Sequence, residues 1–259
     1  MDSVNKTLYI PLYGKSSVSK RGIILSDPKA EAIWAAEGFP LKGKSASKWL
    51  SFYMGMRAAV FDRWVAKQRK EMPDAAVLHL GCGMDSRVLR VDGAGCPWYD
   101  VDFPAVIAER KKHFQETETY HMVAADVRDA DFLADVPASN AIVVMEGISM
   151  YLNREALLQT LTHLCNRFSQ VALLMDCYTE FAAKASRYKN PINEVGVTEV
   201  TGLDEPQLLE DSGLCFLREH DMTPPDLIDQ LTGAERLIFK KLYAGTIARK
   251  MYRLYEYRK

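Results

Sequence analysis

The sequence predicts an open α/β sheet, mostly parallel and wound in both directions from a central strand. Three observations carry that expectation. An apolar run at 76–80 enters a Gly-x-Gly turn, Gly81-Cys82-Gly83. A second strand ends in Asp100-Val101-Asp102, about 20 residues past the glycines, the spacing at which nucleotide-binding sheets place a carboxylate on a ribose. Short apolar strands then alternate with helical patterns as far as His220. Glycine lets the backbone turn sharply and approach a ligand, and an aspartate can accept from both ribose hydroxyls. An adenosine-containing ligand is therefore expected at the carboxyl ends of the strands.

The elements follow in order. Residues 1–27 are polar and rich in Lys and Ser, and no element is assigned there. Asp27-Pro28 opens a helix, with Asp suited to the N-cap and Pro to the first helical position. A long helix is predicted over 45–69, where Trp49, Tyr53, Met56, Val60 and Trp64 form one apolar stripe. Pro73-Asp74 ends it before strand one at 76–80. Strand two is predicted at 97–101, a helix at 104–114, strand three at 120–124, and an apolar strand four at 141–146, as expected of a parallel strand buried on both faces. A helix at 154–168 and strand five at 170–175 continue the series, followed by helices at 179–188 and 203–212 and strand six at 214–219. After a connection containing Pro224-Pro225, residues 251–257 alternate apolar and polar, which predicts a half-exposed edge strand able to support a dimer. With no repeat, low-complexity tract or linker, a single domain over 1–259 is expected, in which 1–72 forms a helical segment completing the ligand pocket and 73–259 the α/β core.

Composition narrows the function. Net charge is −1 with 26% charged residues, so no basic footprint for nucleic acid is expected. No apolar stretch approaches the ~20 residues needed to span a bilayer, and the N-terminus lacks the pattern of a signal peptide. The five cysteines are dispersed without a C-x-x-C pair, which suits reduced thiols and a cytoplasmic protein without a zinc site. His113 and His121 lack metal-ligand spacing, and no metal is expected. Asn5-Lys6-Thr7 matches a glycosylation sequon, read as chance without a secretion signal.

Several segments together resemble the leucine carboxyl methyltransferase family, over roughly residues 8–220. Tyr13-Gly14-Lys15 through Ser26-Asp27-Pro28-Lys29-Ala30 is similar to the family's entry segment, and 56–62 to its Arg-bearing helix before strand one. Leu80-Gly81-Cys82-Gly83-Met84-Asp85-Ser86-Arg87 is similar to its Leu-Gly-x-Gly-x-Asp-[Ser/Thr]-Arg loop. Asp100-Val101-Asp102-Phe103-Pro104 is similar to its Glu-Val-Asp-x-Pro segment, and 146–152 to its Glu-Gly-x-x-x-Tyr-Leu strand end. Two departures are Cys82, where small residues are usual, and Asp100 in place of Glu.

The resemblance implies a Rossmann-like, seven-stranded S-adenosylmethionine (SAM) methyltransferase fold with an N-terminal helical extension, and SAM as cofactor with S-adenosylhomocysteine as product. Gly81, Cys82 and Gly83 would pass the methionine portion and ribose, with Asp102 on the ribose hydroxyls and Phe103 beside it among the cofactor-binding residues. Asp126 and Val127 would hold the adenine. Arg57, with Lys15 as a second cation, would pair with the methionyl carboxylate. Glu146 would face the amino group or line the transfer site, with Tyr151 flanking the methyl or the substrate carboxylate. The bland alternatives stand beside these roles: a solvated Lys15, an N-cap at Asp102, a polar loop at Asp126. Arg87 reads as structural, paired with a carboxylate, and His79 as a core histidine. His220, within Glu219-His220-Asp221, reads as a surface residue with a substrate role as its alternative.

The expected activity is O-methylation of a carboxylate on a small, polyketide-like molecule or a peptide end, by a monomer or homodimer. A carboxylate needs no base because its pKa is about 4; a phenol, near 10, would need one such as His220 or Glu146. A NAD-dependent oxidoreductase is the alternative on fold grounds, although the third glycine of Gly-x-Gly-x-x-Gly is not completed. A non-catalytic SAM-binding protein is another.

Overall fold

The computed structural model describes residues 8–37, 41, 43–91, 95–189 and 200–259; the Asn5 sequon lies outside them. Seven strands form one sheet in the order β3-β2-β1-β4-β5-β7-β6. They are β1 (Ala76–Leu80), β2 (Trp98–Asp102), β3 (Tyr120–Ala124), β4 (Asn140–Met145), β5 (Gln170–Tyr178), β6 (Cys215–His220) and β7 (Tyr252–Arg258). β1 to β5 pair in parallel, whereas β7 is antiparallel to both neighbours. Strand order reverses beside β1, with β2 on one side and β4 on the other, so a crevice opens where the following loops diverge.

Alternation along the strands divides the core. Val77, Trp98, Ile142, Val144 and Leu174 face one layer, and Leu78, Val101, Val143 and Leu173 face the other. The first layer contains α1 (Tyr9–Lys20), α2 (Pro28–Glu37) and α3 (Lys48–Glu71); the second contains α6 (Arg154–Arg167) and a 3-10 helix at Pro206–Ser212. Short helices α4 (Arg87–Arg90) and α5 (Pro104–Arg110) follow β1 and β2. α7 (Glu180–Lys189) follows β5, and α8 (Pro225–Ile228), α9 (Gly233–Leu242) and α10 (Thr246–Arg249) connect β6 to β7. Among the described residues no helix is long and apolar enough to cross a membrane.

Most predicted elements occur within a few residues of their expected bounds, including β1 and β3 at their exact limits. Asp27 caps α2 as expected, its Oδ1 accepting from the Ala30 N–H at 2.9 Å. Five expectations need correction. The N-terminal stretch left unassigned contains α1, whose Lys and Ser residues concealed it: Lys15 and Ser16 are 3% and 1% exposed. α1 crosses α3 so closely that a Cβ on Gly55 would lie 2.8 Å from Val18 Cγ2. The helix expected at 203–212 is the shorter 3-10 segment, and that at 104–114 ends at Arg110.

The last strand is not an edge. β7 lies between β5 and β6, and β6 forms the margin, which removes the reason for assigning β7 to a dimer contact. Its alternation misled because Glu256 is buried as well, accepting from Arg218 and facing His220 Nε2, each at 2.7 Å. The helices between β6 and β7, read only as a connection, pack back on the N-terminal layer: Phe239 of α9 meets Phe52 of α3 edge-on, ring centres 6.1 Å apart. Phe239 is fully buried, so Phe239→Ala is expected to lower unfolding free energy by about 3–5 kcal/mol in a denaturant titration.

Candidate functional site

A cavity of about 910 Å³ opens at the carboxyl ends of β1, β2 and β4. All eleven residues expected at the cofactor and acceptor sites line it: Lys15, Arg57, Gly81, Cys82, Gly83, Asp102, Phe103, Asp126, Val127, Glu146 and Tyr151. The structure brings them together from α1, α3 and the loops after β1 to β4.

The glycine turn is built for close approach. Gly81 has φ +66° and Gly83 φ +51°, both in the left-handed region that other residues rarely enter. A Cβ on Gly81 would fall 2.0 Å from Ile148 Cγ2, so the turn also packs against the loop after β4. Asp102 fastens the turn: Oδ2 accepts from the Gly83 N–H at 2.8 Å and Oδ1 from its neighbour Phe103 N–H at 2.8 Å. It does not cap α5, whose N-cap is Phe103. A carboxylate has about four acceptor sites, so Asp102 retains lone pairs for hydroxyl donors. Burial pushes its carboxyl up, more than these two N–H groups draw it down.

Asp100 supports the turn from behind. It accepts from Trp98 Nε1, Tyr120 Oη and Arg110, while Arg110 Nη1 donates to the Gly83 carbonyl at 2.9 Å. Asp100 is absent from the cavity wall, so the two aspartates of β2 divide the work between support and contact. Cys82 is buried, and burial pushes its thiol well up, which makes it an inert wall. Asp126 is half-buried and already engaged by Arg128 Nε, 2.9 Å from each oxygen; that contact lowers its pKa.

Beneath the strand ends runs a buried chain of ion pairs. Lys15 donates to Asp85 at 2.6 Å, so it is not a solvated lysine. Arg90 joins Asp85, Asp27 and Asp62 at 2.9, 2.6 and 2.8 Å. Arg87 bonds Asp62 at 2.7 Å and also Glu146, confirming its structural reading. Arg57 completes the chain, Nε to Glu146 at 2.9 Å and Nη1 to Asp176 at 2.7 Å. Its Nη2 has no acceptor among the described residues. Asp176, near the end of β5, is not among the residues expected from the sequence, although it carries the signal that marks Glu146, a carboxylate after an apolar run.

These partners decide which groups can act as bases. Burial alone would raise the Glu146 pKa, but the guanidiniums of Arg87 and Arg57 outweigh it and hold it at about 2. A carboxylate so stabilised is a poor base. His79, 1% exposed as expected of a core histidine, faces Arg87 Nη1 through Nε2 at 3.2 Å. Arginine only donates, so Nε2 must be the bare nitrogen and Nδ1 carries the proton, 3.4 Å from Asp100. His220 lies outside the cavity wall, too far removed to serve an acceptor held there, and its Nε2 faces Glu256. Glu37, Glu109 and His113 also lie apart from the cavity; their ligating atoms fall within 4.8 Å of one another, but His113 is paired with Glu37 and Lys112 with Glu109.

The far part of the cavity is different in character. Tyr53 of α3, Tyr178 of β5 and Tyr252 of β7 form an aromatic wall, with Tyr252 Oη 3.0 Å from Tyr178 Oη. Met150 packs with Tyr178 and Tyr252, and Trp49 stacks on Tyr243 with ring centres 5.3 Å apart. One end of the space thus offers charge and backbone donors, and the other a large apolar surface.

Acid stability follows from the ion chain. In Asp100 burial raises the pKa, yet Arg110, His79 and Tyr120 bring it to about 2, as the guanidiniums do for Glu146. Both folded values lie below the unfolded ones near 4, so their contribution is complete above that pH and is lost as pH falls from about 4 toward 2. The thermal midpoint is expected to show no loss from these two groups between pH 7 and 5, and a decline below about pH 4.

Known proteins share this sequence and fold in part. Residues 14–165 match the leucine carboxyl methyltransferase family. The chain is 33% identical over 170 residues to the tetracenomycin polyketide synthesis O-methyltransferase TcmP of Streptomyces glaucescens, covering 64% of this chain and 63% of that protein. It is 27% identical over 183 residues to the S-adenosyl-L-methionine-dependent methyltransferase dpfgK of Gibberella zeae, covering 64% and 61%. The chain therefore matches less than two thirds of the length of either relative. Its fold is shared with magnesium protoporphyrin IX methyltransferase (ChlM) from Synechocystis PCC 6803, solved with bound SAH, at TM-score 0.53 and 14% identity over 88% of this chain and 93% of that one. The matched segment contains Lys15, Arg57, the glycine turn, Asp102, Asp126 and Glu146, and the chain belongs to the leucine carboxyl methyltransferase family.

Proposed function

We propose that this chain is a SAM-dependent O-methyltransferase acting on a carboxylate of a small, polyketide-like molecule or of a peptide end. The observation that carries the reading is Arg57: a buried guanidinium fixed by Glu146 and Asp176, on the cavity wall with one nitrogen left over. Guanidinium is suited to a carboxylate partner, and a methionyl carboxylate supplies one. Lys15 uses one of its three donors on Asp85, which leaves others for the same anion. Glu146 keeps lone pairs for an ammonium beside it. Asp102 retains acceptor sites for ribose hydroxyls, the Gly81–Gly83 turn admits close backbone contact, and Phe103, Asp126 and Val127 would border the adenine.

The residues present thus fit SAM, which supplies a methyl group on a sulfonium that leaves as a neutral thioether. What remains for the protein is alignment and exclusion of water. The aromatic wall of Tyr53, Tyr178 and Tyr252, with Met150 and Tyr151, would receive an extended apolar acceptor and hold its oxygen against the transfer site. Of the groups lining the cavity, Glu146 is held by two guanidiniums as a poor base, and the Nε2 of His79 is occupied by Arg87. This favours an acceptor ionised at neutral pH, a carboxylate, over a phenol. Family membership leaves no support for the oxidoreductase alternative. A non-catalytic SAM-binding protein would show the same cofactor affinity without turnover.

Calorimetric titration with S-adenosylhomocysteine is expected to give micromolar binding, lost by more than tenfold in Arg57→Ala and in Asp102→Ala; NADH should not bind. Binding of NADH, or no S-adenosylhomocysteine binding by the wild type, would overturn the reading. In a screen of aromatic carboxylic acids with SAM, methyl ester formation should be level from about pH 6 to 9. A rate that climbs tenfold per pH unit in that range would point to a phenolic acceptor instead.

A further inference from the structure

We infer that Asp176 is a positioning residue that ties the cofactor end of the cavity to the turn facing the acceptor. The inference rests on the SAM reading of the cavity and concerns a residue outside its wall. Asp176 is fully buried at the carboxyl end of β5, and its two carboxylate oxygens serve different masters. Oδ2 accepts from Arg57 Nη1 at 2.7 Å, and Oδ1 accepts from the Gly147 N–H at 2.5 Å. Its backbone carbonyl also accepts from Ser149 Oγ.

Those contacts hold both ends of one short turn. Gly147 begins it, the 3-10 segment Ser149–Tyr151 completes it, and Ile148, Met150 and Tyr151 line the cavity. The guanidinium of Arg57 lies against Gly147, Nη2 3.4 Å from where a Cβ would be. Ile148 in turn fills the space in front of Gly81. Arg57, the turn and the glycine loop are therefore in mutual contact, with Asp176 as the anion common to the first two.

The electrostatics give this contact a direction. Arg57 shares one positive charge between Glu146 and Asp176. A third anion at Nη2 draws on the same charge, leaving Asp176 less neutralised and a stronger acceptor for the Gly147 N–H. An anion bound at Arg57 should thus tighten the turn. Replacing the carboxylate with an amide removes the negative charge through which that response travels.

The test combines calorimetry with hydrogen–deuterium exchange over residues 147–152, using S-adenosylhomocysteine as the probe. In the wild type, the ligand should slow exchange in this segment. Asp176→Asn should bind at least tenfold more weakly and, when saturated, show no slowing. Ser149→Ala, which cuts the backbone tether and leaves the charges intact, should bind within twofold of wild type while the segment exchanges severalfold faster. A residue contributing stability alone would shift the thermal midpoint of both variants and move neither affinity nor ligand-induced protection. Wild-type affinity and protection in Asp176→Asn would overturn the proposal. If that variant does not fold, ligand-induced slowing in Ser149→Ala decides: slowing that persists without the backbone tether upholds the carboxylate's role, and its loss overturns it. A wild type that does not bind S-adenosylhomocysteine would sink the SAM reading, while exchange in ligand-free Ser149→Ala would still report on the tether.

Discussion

The arrangement at the strand ends depends on burying guanidinium groups without leaving any of them unmatched. Arg57 and Arg87 share Glu146, Arg87 and Arg90 share Asp62, and Arg90 reaches Asp85, which also holds Lys15. Each charge removed from water costs several kcal/mol, and only close oppositely charged neighbours offset that loss. The constraint is mutual: α1 supplies Lys15, α3 supplies Arg57 and Asp62, the loop after β1 supplies Asp85, Glu146 follows β4 and Asp176 lies near the end of β5. No one of these elements can shift far without exposing a charge on another to an apolar surrounding. The fold's electrostatics and the shape of its cavity are therefore one problem with one solution.

Much of this was legible in the chain. The central strands were visible because they are short, apolar and bounded by glycine and proline, and their pairing places alternate residues such as Val77 and Leu78 on opposite layers. The site residues were visible because polar groups at the ends of apolar runs, as in Glu146 after Val143-Val144-Met145, are out of place unless they meet something. Asp176 carries the same mark, but the strand read from the sequence stops at Met175, three residues before β5 ends at Tyr178.

The rest depended on partners far away in sequence. α1 reads as surface because Lys15 and Ser16 are polar; only the presence of Asp85, seventy residues on, makes burial of that lysine tolerable. β7 reads as an edge because Glu256 interrupts its apolar residues, and only pairing with Arg218 and His220 of β6 lets the glutamate sit inside the sheet. Periodicity reports on what one segment prefers. It is silent on a charge whose environment is assembled by another segment.

The place of β7 also governs the order in which the protein can be completed. β6 is made before β7, yet it has no partner in the sheet except β7, which separates it from β5. During synthesis β6 must wait, its backbone donors and acceptors open to water, until the helices of the connection and then β7 have emerged. Tyr252, which forms part of the cavity's aromatic wall, arrives on that same strand. A nascent chain stalled before it would carry the glycine turn, Arg57 and Asp102 while the aromatic wall of the cavity was still unfinished.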